Sequence, residues 1–183
     1  LTEFTHRLAR PADVPAIVRL MQASIAENMK PFLSLEEIEA ARETMGVDWT
    51  LIEDGTYFLV ETAGRGQKIL VGSGGWGKRR TLYGGDHTAG RDDSFSDPPV
   101  DAARIRAMYT HPLWIRRGIG SLLLNLGEEA ARDAGFKSIE LGSTIPGEPF
   151  YLARGYREVS RNTQIAANGA ANVVIKMVKD LLR

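Results

Sequence analysis

Residues 104–135 read RIRAMYTHPLWIRRGIGSLLLNLGEEAARDAG. The stretch reads as a strand, a tight basic glycine turn and a helix. The strand is predicted over Arg104–Thr110. His111-Pro112 ends it, because proline has no N–H for a sheet ladder and restricts the residue before it. The helix is predicted from about Gly118 to Ala134. Ile119, Leu122, Leu123, Leu126 and Ala130 recur at the spacing of one buried helical face. That spacing leaves Ser121, Asn125, Glu128, Glu129, Arg132 and Asp133 to the other side. Gly135 stands where a left-handed C-terminal cap is expected. Between strand and helix lie Ile115, Arg116, Arg117, Gly118, Ile119 and Gly120.

The turn has a physical reading of its own. The first turn of a helix carries backbone N–H groups without partners in the chain, and the positive end of the helix dipole. Glycines let an anion approach those groups. Two arginines add forked, charged donors that suit phosphate. Together they describe a site for a phosphate or diphosphate. Spacing alone does not separate this from an ordinary loop with turn-forming glycines and solvated arginines. The familiar nucleotide fingerprints do not fit: there is no GxxxxGK[ST], and GxGxxG would need glycine where Leu123 stands.

With 183 residues, the chain is expected to form one domain, residues 1–183, with a real core. Hydrophobic residues make up 43%, which excludes a disordered composition. Lys plus Arg and Asp plus Glu balance at 23 each, so neither nucleic acid nor an acidic membrane is expected as partner. The chain has no cysteine, hence no disulfide, thiolate metal site or cysteine nucleophile. The three histidines, His6, His87 and His111, show no metal-ligand spacing, and no metal is expected. No apolar signal region or membrane-spanning run is present, and a cytoplasmic location is the expectation.

Phe4–Ala9 is predicted as a short strand. Val14, Ile17, Val18, Met21 and Ile25 follow at helical spacing. Ser34-Leu35-Glu36-Glu37 offers an N-cap with acids in the first turn of a second helix, ending near Thr44. The junction between these helices, Glu27 to Leu35, is either a plain connection or a wall of a substrate pocket. Thr56–Thr62 and Ile69–Trp76 are predicted strands of a hairpin. Gly72, Gly74 and Gly75 in the second point to a bulge or a close backbone approach. Tyr83 to Ala102 is irregular and acidic, read either as a solvated loop or as a mouth that attracts a cationic amine. Ser138–Ser143 alternates as a strand. Glu148 to Arg154 is predicted as a short helix, with Pro149 in its first turn and Gly155 as its cap. Arg157–Thr163 and Asn172–Val178 are predicted closing strands around Asn168-Gly169. Strands with helices between them argue for an α/β or α+β domain.

Two separated motifs now agree. His-Pro-x-x-x-Arg-Arg-Gly-Ile-Gly-Ser from His111 to Ser121, and Phe150-Tyr151-x-x-x-Gly155-Tyr156 after the next strand, resemble the GNAT superfamily of acyl-CoA-dependent N-acetyltransferases. The opening Arg10-Pro11-Ala12-Asp13-Val14 and the ending Val174 to Lys179 also look like that superfamily's ends. The resemblance implies a central, mostly antiparallel mixed sheet of six to seven strands, splayed in the middle and flanked by about four helices. It implies acetyl-CoA as co-substrate, with no metal. Cofactor contacts are implied for Met108, Thr110, Ile115, Arg116, Arg117, Gly118, Ile119, Gly120 and Ser121. The strand at Arg104–Thr110 would splay from Ser138–Ser143, and main-chain groups of Met108 and Thr110 would meet the pantetheine arm.

The chain departs from the family pattern at three positions. Ile115 stands where Gln or Arg is usual, and its side chain donates no hydrogen bond to phosphate. Thr144 stands where asparagine is common, and Gly147 where alanine is common.

The implied reaction is direct attack of a primary amine on the thioester. A carboxylate acting through water is the expected base, and the sequence singles none out. The backbone N–H of Met108 would face the developing oxyanion. Tyr151 is the expected catalytic acid for the departing thiolate. The acceptor classes left open are a small-molecule amine, a protein N-terminus or lysine, and an aminoglycoside-like compound. The acidic loop leans towards a small cationic amine. An acyl-CoA-binding module without turnover is the alternative function, and a phosphate-binding domain for another nucleotide a weaker one. The resemblance leaves room for a homodimer, without identifying an interface.

Overall fold

The computed structural model describes residues 3–182. Its seven-stranded sheet is formed by β1 (Phe4–Leu8), β2 (Tyr57–Gly64), β3 (Gln67–Gly77), β4 (Ala103–Thr110), β5 (Ser138–Ser143), β6 (Arg157–Ile165) and β7 (Ala171–Asp180), in the order β1-β2-β3-β4-β5-β7-β6. Every neighbouring pair is antiparallel except β4 and β5. The helices are α1 (Val14–Asn28), α2 (Leu35–Ala41), α3 (Trp49–Glu53), α4 (Ile119–Asp133) and α5 (Glu148–Leu152). The expected splayed, mixed α/β sheet is present, with five α-helices where about four were expected.

Alternation along β2 decides which helix lies on which face. Tyr57 and Leu59 pack with Ile17 of α1, whereas Phe58 and Val60 pack towards α4. The α4 face holds the larger core, with Trp76, Ile105, Leu124, Ile139, Leu141, Ile175 and Met177. Glycines in β3 make the close approach possible. A Cβ on Gly72 would stand 2.4 Å from Ile119 Cγ2, and one on Gly74 would stand 2.3 Å from Met108 Sδ. The pairing of β3 with β4 also slips between Ser73 and Gly75, so the glycines mark both a bulge and a close contact.

Three sequence expectations are corrected. The buried face of α4 is Ile119, Leu123, Leu124, Gly127, Glu128 and Ala131, not the stripe through Leu126 and Ala130. Glu128, expected in solvent, is buried; it accepts from the Tyr156 hydroxyl at 2.9 Å and from Lys179 Nζ at 3.0 and 3.1 Å. Helical spacing reports one face, but Gly127 and its partners let a second stripe lie flat on the sheet. Helix α3 was not expected; its cap is Asp48, whose Oδ1 accepts the Thr50 N–H at 3.0 Å. The second helix stops at Ala41 and is finished by a tighter turn, Arg42–Thr44. Ser34 caps it as expected, accepting from the Glu37 N–H at 3.1 Å while Glu37 accepts from the Ser34 N–H at 3.1 Å.

The segment 83–102 is largely exposed, as expected of a solvated loop, but it is pinned to the sheet by hydrogen bonds and ion pairs. Arg80 N–H donates to the Ser94 carbonyl at 2.9 Å, and Ser96 N–H to Lys78 O at 2.9 Å. Four of its five aspartates are engaged: Asp93 with Arg91, Asp101 with Arg80, Asp86 with the Trp49 N–H and Asp92 with the Ser94 N–H.

Candidate active site

Strands β4 and β5 pair only at Ala103–Ile139 and Arg104–Glu140. Beyond Arg104 they diverge. The divergence coincides with Ala107, a non-glycine residue at φ 51°. A residue in this region costs about 1–3 kcal/mol, and surrounding contacts must hold it there. The Tyr57 hydroxyl does so, 3.3 Å from the Ala107 carbonyl oxygen and 2.9 Å from Ser73 Oγ. Ala107 and Met108 have no register partner of their own on β3. The Met108 side chain packs in the core while its backbone lies at the gap.

A cavity of about 450 Å³ fills the gap. Met108, Thr110, Ile115, Arg116 and Tyr151 all line it. The structure therefore brings five of the ten predicted site residues to one space. The other five, Arg117, Gly118, Ile119, Gly120 and Ser121, lie in the adjoining turn. Arg116 at φ 63° and Gly118 at φ 87° fold that turn back on itself. Gly118 is the N-cap of α4 and has no side chain to satisfy the first-turn N–H groups. Successive N–H groups in such a turn form a concave anion site at the positive end of the dipole. Arg116, Arg117 and Gly118 are exposed, and the Arg117 guanidinium lies 4.6 Å from the Trp114 ring centre. The Ile119 side chain is buried, and Ser121 Oγ accepts from Arg154 Nε at 3.1 Å. These two residues offer a ligand their backbone rather than their side chains.

The second motif builds the opposite wall. Thr144 Oγ1 accepts the Gly147 N–H at 3.2 Å, so threonine closes the turn that leads into α5. A Cβ on Gly147 would stand 3.1 Å from Ser143 Oγ and 3.4 Å from the Tyr151 ring, a tight fit for the commoner alanine. Tyr151 packs edge-on against Phe150 and Tyr156, with ring centres 5.1 and 5.7 Å away. Burial pushes its phenol well above the usual tyrosine range. It stays a proton donor at any ordinary pH.

The far side of the cavity comes from α1, the segments around Phe32 and Met45, residues 82–84 and β7. Asn28 Nδ2 donates to the Thr110 carbonyl at 2.8 Å and ties α1 to the end of β4. Arg106 on β4 is buried and forms an ion pair with the equally buried Asp48 at 2.8 Å. It also donates to the carbonyls of Thr81 and Gly84. Arg91 reaches Asp48 at 3.1 Å and donates to Gly84 O at 2.9 Å. The two arginines clamp residues 81–85 to the cavity wall. Tyr109 is buried there too, and desolvation pushes its phenol up to about 12.

Sequence reasoning missed Asp48, Ala107, Arg106 and Tyr109. Only Asp48 carried a local signal, as the first residue of Asp-Trp-Thr before α3. Arg106 and Tyr109 lay within a predicted strand, but their partners are far away in sequence. Among the described residues, no group of three or more His, Asp or Glu is placed to hold a metal ion, and no helix is long and apolar enough to cross a membrane.

Comparison with known proteins finds a matching family and a shared fold. The family model described as Acetyltransferase (GNAT) family matches residues 21–156. No curated protein sequence matches the chain. Among solved structures, a GCN5-related N-acetyltransferase from Rhodopseudomonas palustris superposes with a TM-score of 0.66 at 20% identity, over 98% of each chain. The yncA protein of Salmonella typhimurium, solved with acetyl-CoA, gives 0.64 at 18% identity, over 98% of this chain and 95% of that one. The paia N-acetyltransferase of Thermoplasma acidophilum, solved with coenzyme A, gives 0.59 at 13% identity, over 97% and 99%.

Proposed function

The chain belongs to the GNAT acetyltransferase family, and from that premise we propose that it moves an acetyl group from acetyl-CoA to the primary amine of a small molecule, by direct attack with both substrates bound. Residues 1–183 act as one such domain, and its setting is the cytoplasm. The single observation that carries the proposal is the continuity of the cavity, which runs from Arg116, beside the uncapped turn, past Met108 to Tyr151. Coenzyme A in the Thermoplasma acidophilum structure and acetyl-CoA in the yncA structure support the choice of donor.

The residues present suit that donor. The N–H groups of the 116–121 turn and the two arginines would hold its diphosphate. Ile115 adds no donor, and the N–H groups of the exposed residues Arg116, Arg117 and Gly118 would supply what its side chain cannot. Backbone groups of Met108 and Thr110, beside the gap, would line the pantetheine arm. Bound acetyl-CoA supplies an activated acyl group. The amine nitrogen forms a bond to the carbonyl carbon, and the carbon–sulfur bond breaks. The Met108 N–H opposes the charge that develops on oxygen. Tyr151 gives its proton to the sulfur, and the proton that the amine nitrogen sheds to water restores the phenol.

Release of free thiol from acetyl-CoA, dependent on an added amine, tests the reading. Binding of coenzyme A with no thiol release under a broad panel of amines contradicts it.

A further inference from the structure

The acceptor end of the cavity presents no carboxylate or imidazole to take a proton from an ammonium group. The titratable and charged side chains that line it are Tyr83 from the 82–84 segment, Arg106 and Tyr109 from β4, Arg116 from the turn and Tyr151 from α5. Helix α1, the 44–46 segment, β5 and β7 contribute none. No carboxylate or imidazole is among the lining residues, all of which belong to the described part of the chain. The nearby carboxylates face elsewhere. Asp48 is locked between Arg106 and Arg91. Glu27 pairs with Lys30 at 3.0 Å, Glu43 accepts from the Ala167 N–H at 2.8 Å, and Glu148 pairs with Arg161. The expected carboxylate base has no candidate in this space.

The charge that is present is of the wrong sign for a cation. The buried Arg106 guanidinium is balanced by Asp48, which does not line the cavity, so the wall offers an entering cation no anion, and desolvating an unpaired ammonium is costly. The remaining wall is uncharged: Ile25, Met29 and Met45 are apolar, with Phe32 at the mouth and 57% exposed, and among the polar residues Asn28 donates to Ser24 and the Thr110 carbonyl and Asn172 to Thr44. An aromatic residue in that setting offers a face to an apolar ring.

Resting on the acetyltransferase reading above, we propose that the acceptor is a weakly basic amine on an apolar ring, of the arylamine class, which enters uncharged. An alkylammonium with a pKa near ~10 is neutral in only about one molecule per thousand at pH 7. An arylamine is neutral already and needs no base before attack. Its nitrogen forms the amide bond as the carbon–sulfur bond breaks and Tyr151 protonates the sulfur. The nitrogen then sheds one proton to water at the cavity mouth, which restores the Tyr151 phenol. No other reactant is needed.

The test compares an aniline with a benzylamine of matched ring substitution, following thiol release from acetyl-CoA across pH 5.5 to 9.5 with the full chain. The aniline is expected to exceed the benzylamine in kcat/KM by at least about tenfold at pH 7. Its kcat/KM stays level towards low pH, while that of the benzylamine falls along the benzylamine's own titration. Phe32→Ala is expected to raise the KM for the aniline several-fold and leave the KM for acetyl-CoA unchanged. Preference for the benzylamine at pH 7, or one acid limb at the same pH for both amines, overturns the proposal by revealing an acid-binding wall or an enzyme base. Absence of release with every amine, while coenzyme A still raises the melting temperature, refutes amine acetylation itself and this proposal with it.

Discussion

The Phe150 ring lies 3.2 Å from the place a Cβ would take on Gly120. The Phe150 ring of the helix that carries Tyr151 thus packs directly on the first turn of α4 at Gly120. Arg154 reinforces the contact, stacked 3.8 Å from the Phe150 ring centre and donating to Ser121 Oγ. The turn proposed to hold the diphosphate and the phenol proposed to protonate the thiolate form one unit.

Gly120→Ala tests that unit. The added methyl sits inside ordinary contact distance of Phe150, so α5 must shift by a few tenths of an ångström. Misplacement of a catalytic group by about 1 Å costs up to ~10²-fold, so a loss of about tenfold in kcat/KM is expected. The far-ultraviolet circular dichroism spectrum remains unchanged. Steady-state kinetics with acetyl-CoA varied would measure the loss.

Tyr151→Phe keeps the ring contacts and removes the donor. A fall in kcat of about 10²-fold is expected, with the KM for acetyl-CoA retained. Because burial holds the phenol above its ordinary range, the wild type shows no alkaline loss from Tyr151 up to the usual tyrosine value of ~10. Unchanged turnover in the variant would exclude Tyr151 as the acid.

Asp48→Asn removes the anion shared by Arg106 and Arg91. Breaking a buried pair from one side leaves uncompensated charge, and a destabilisation of about 3 kcal/mol is expected in urea unfolding. The 82–84 segment loses its clamp, so the KM for the acceptor rises more than that for acetyl-CoA.

A second ion pair predicts a pH dependence. Arg7 donates to both Asp13 oxygens at 2.8 Å, and this holds the Asp13 carboxyl down at about 2, below its ordinary 3.8. A depressed carboxyl stabilises the fold above its unfolded value and loses that contribution as pH falls through its folded one. The pair lies near the surface, so Asp13→Asn is expected to cost about 1 kcal/mol at pH 7. The difference from wild type shrinks between pH 4 and pH 2, and urea titrations at each pH would follow it.

The sequence carried most of the architecture because its strongest signals were local. Ser34 with Glu37, Pro112 after β4 and Gly118 before α4 each declare a boundary through their own backbone chemistry. The two motifs meet at one cavity, which Tyr151, Ile115 and Arg116 line. What stayed hidden depended on distant partners. Glu128 looks like a solvent residue until Tyr156, just before β6, and Lys179 on β7 reach it. Ala107 carries no glycine signal for its positive φ, because Tyr57, fifty residues away, helps to hold it. The aspartates of 83–102 suggested an acidic mouth, but Arg80, Arg91 and the Trp49 N–H take up three of them.

The most direct test of the account follows backbone amide resonances as coenzyme A is added. The account predicts that the largest shifts fall on Arg116 to Ser121 and on Met108, with the Tyr151 ring also responding. Shifts confined to another surface, such as the polar hollow between Arg7, Lys68 and His111, would contradict it.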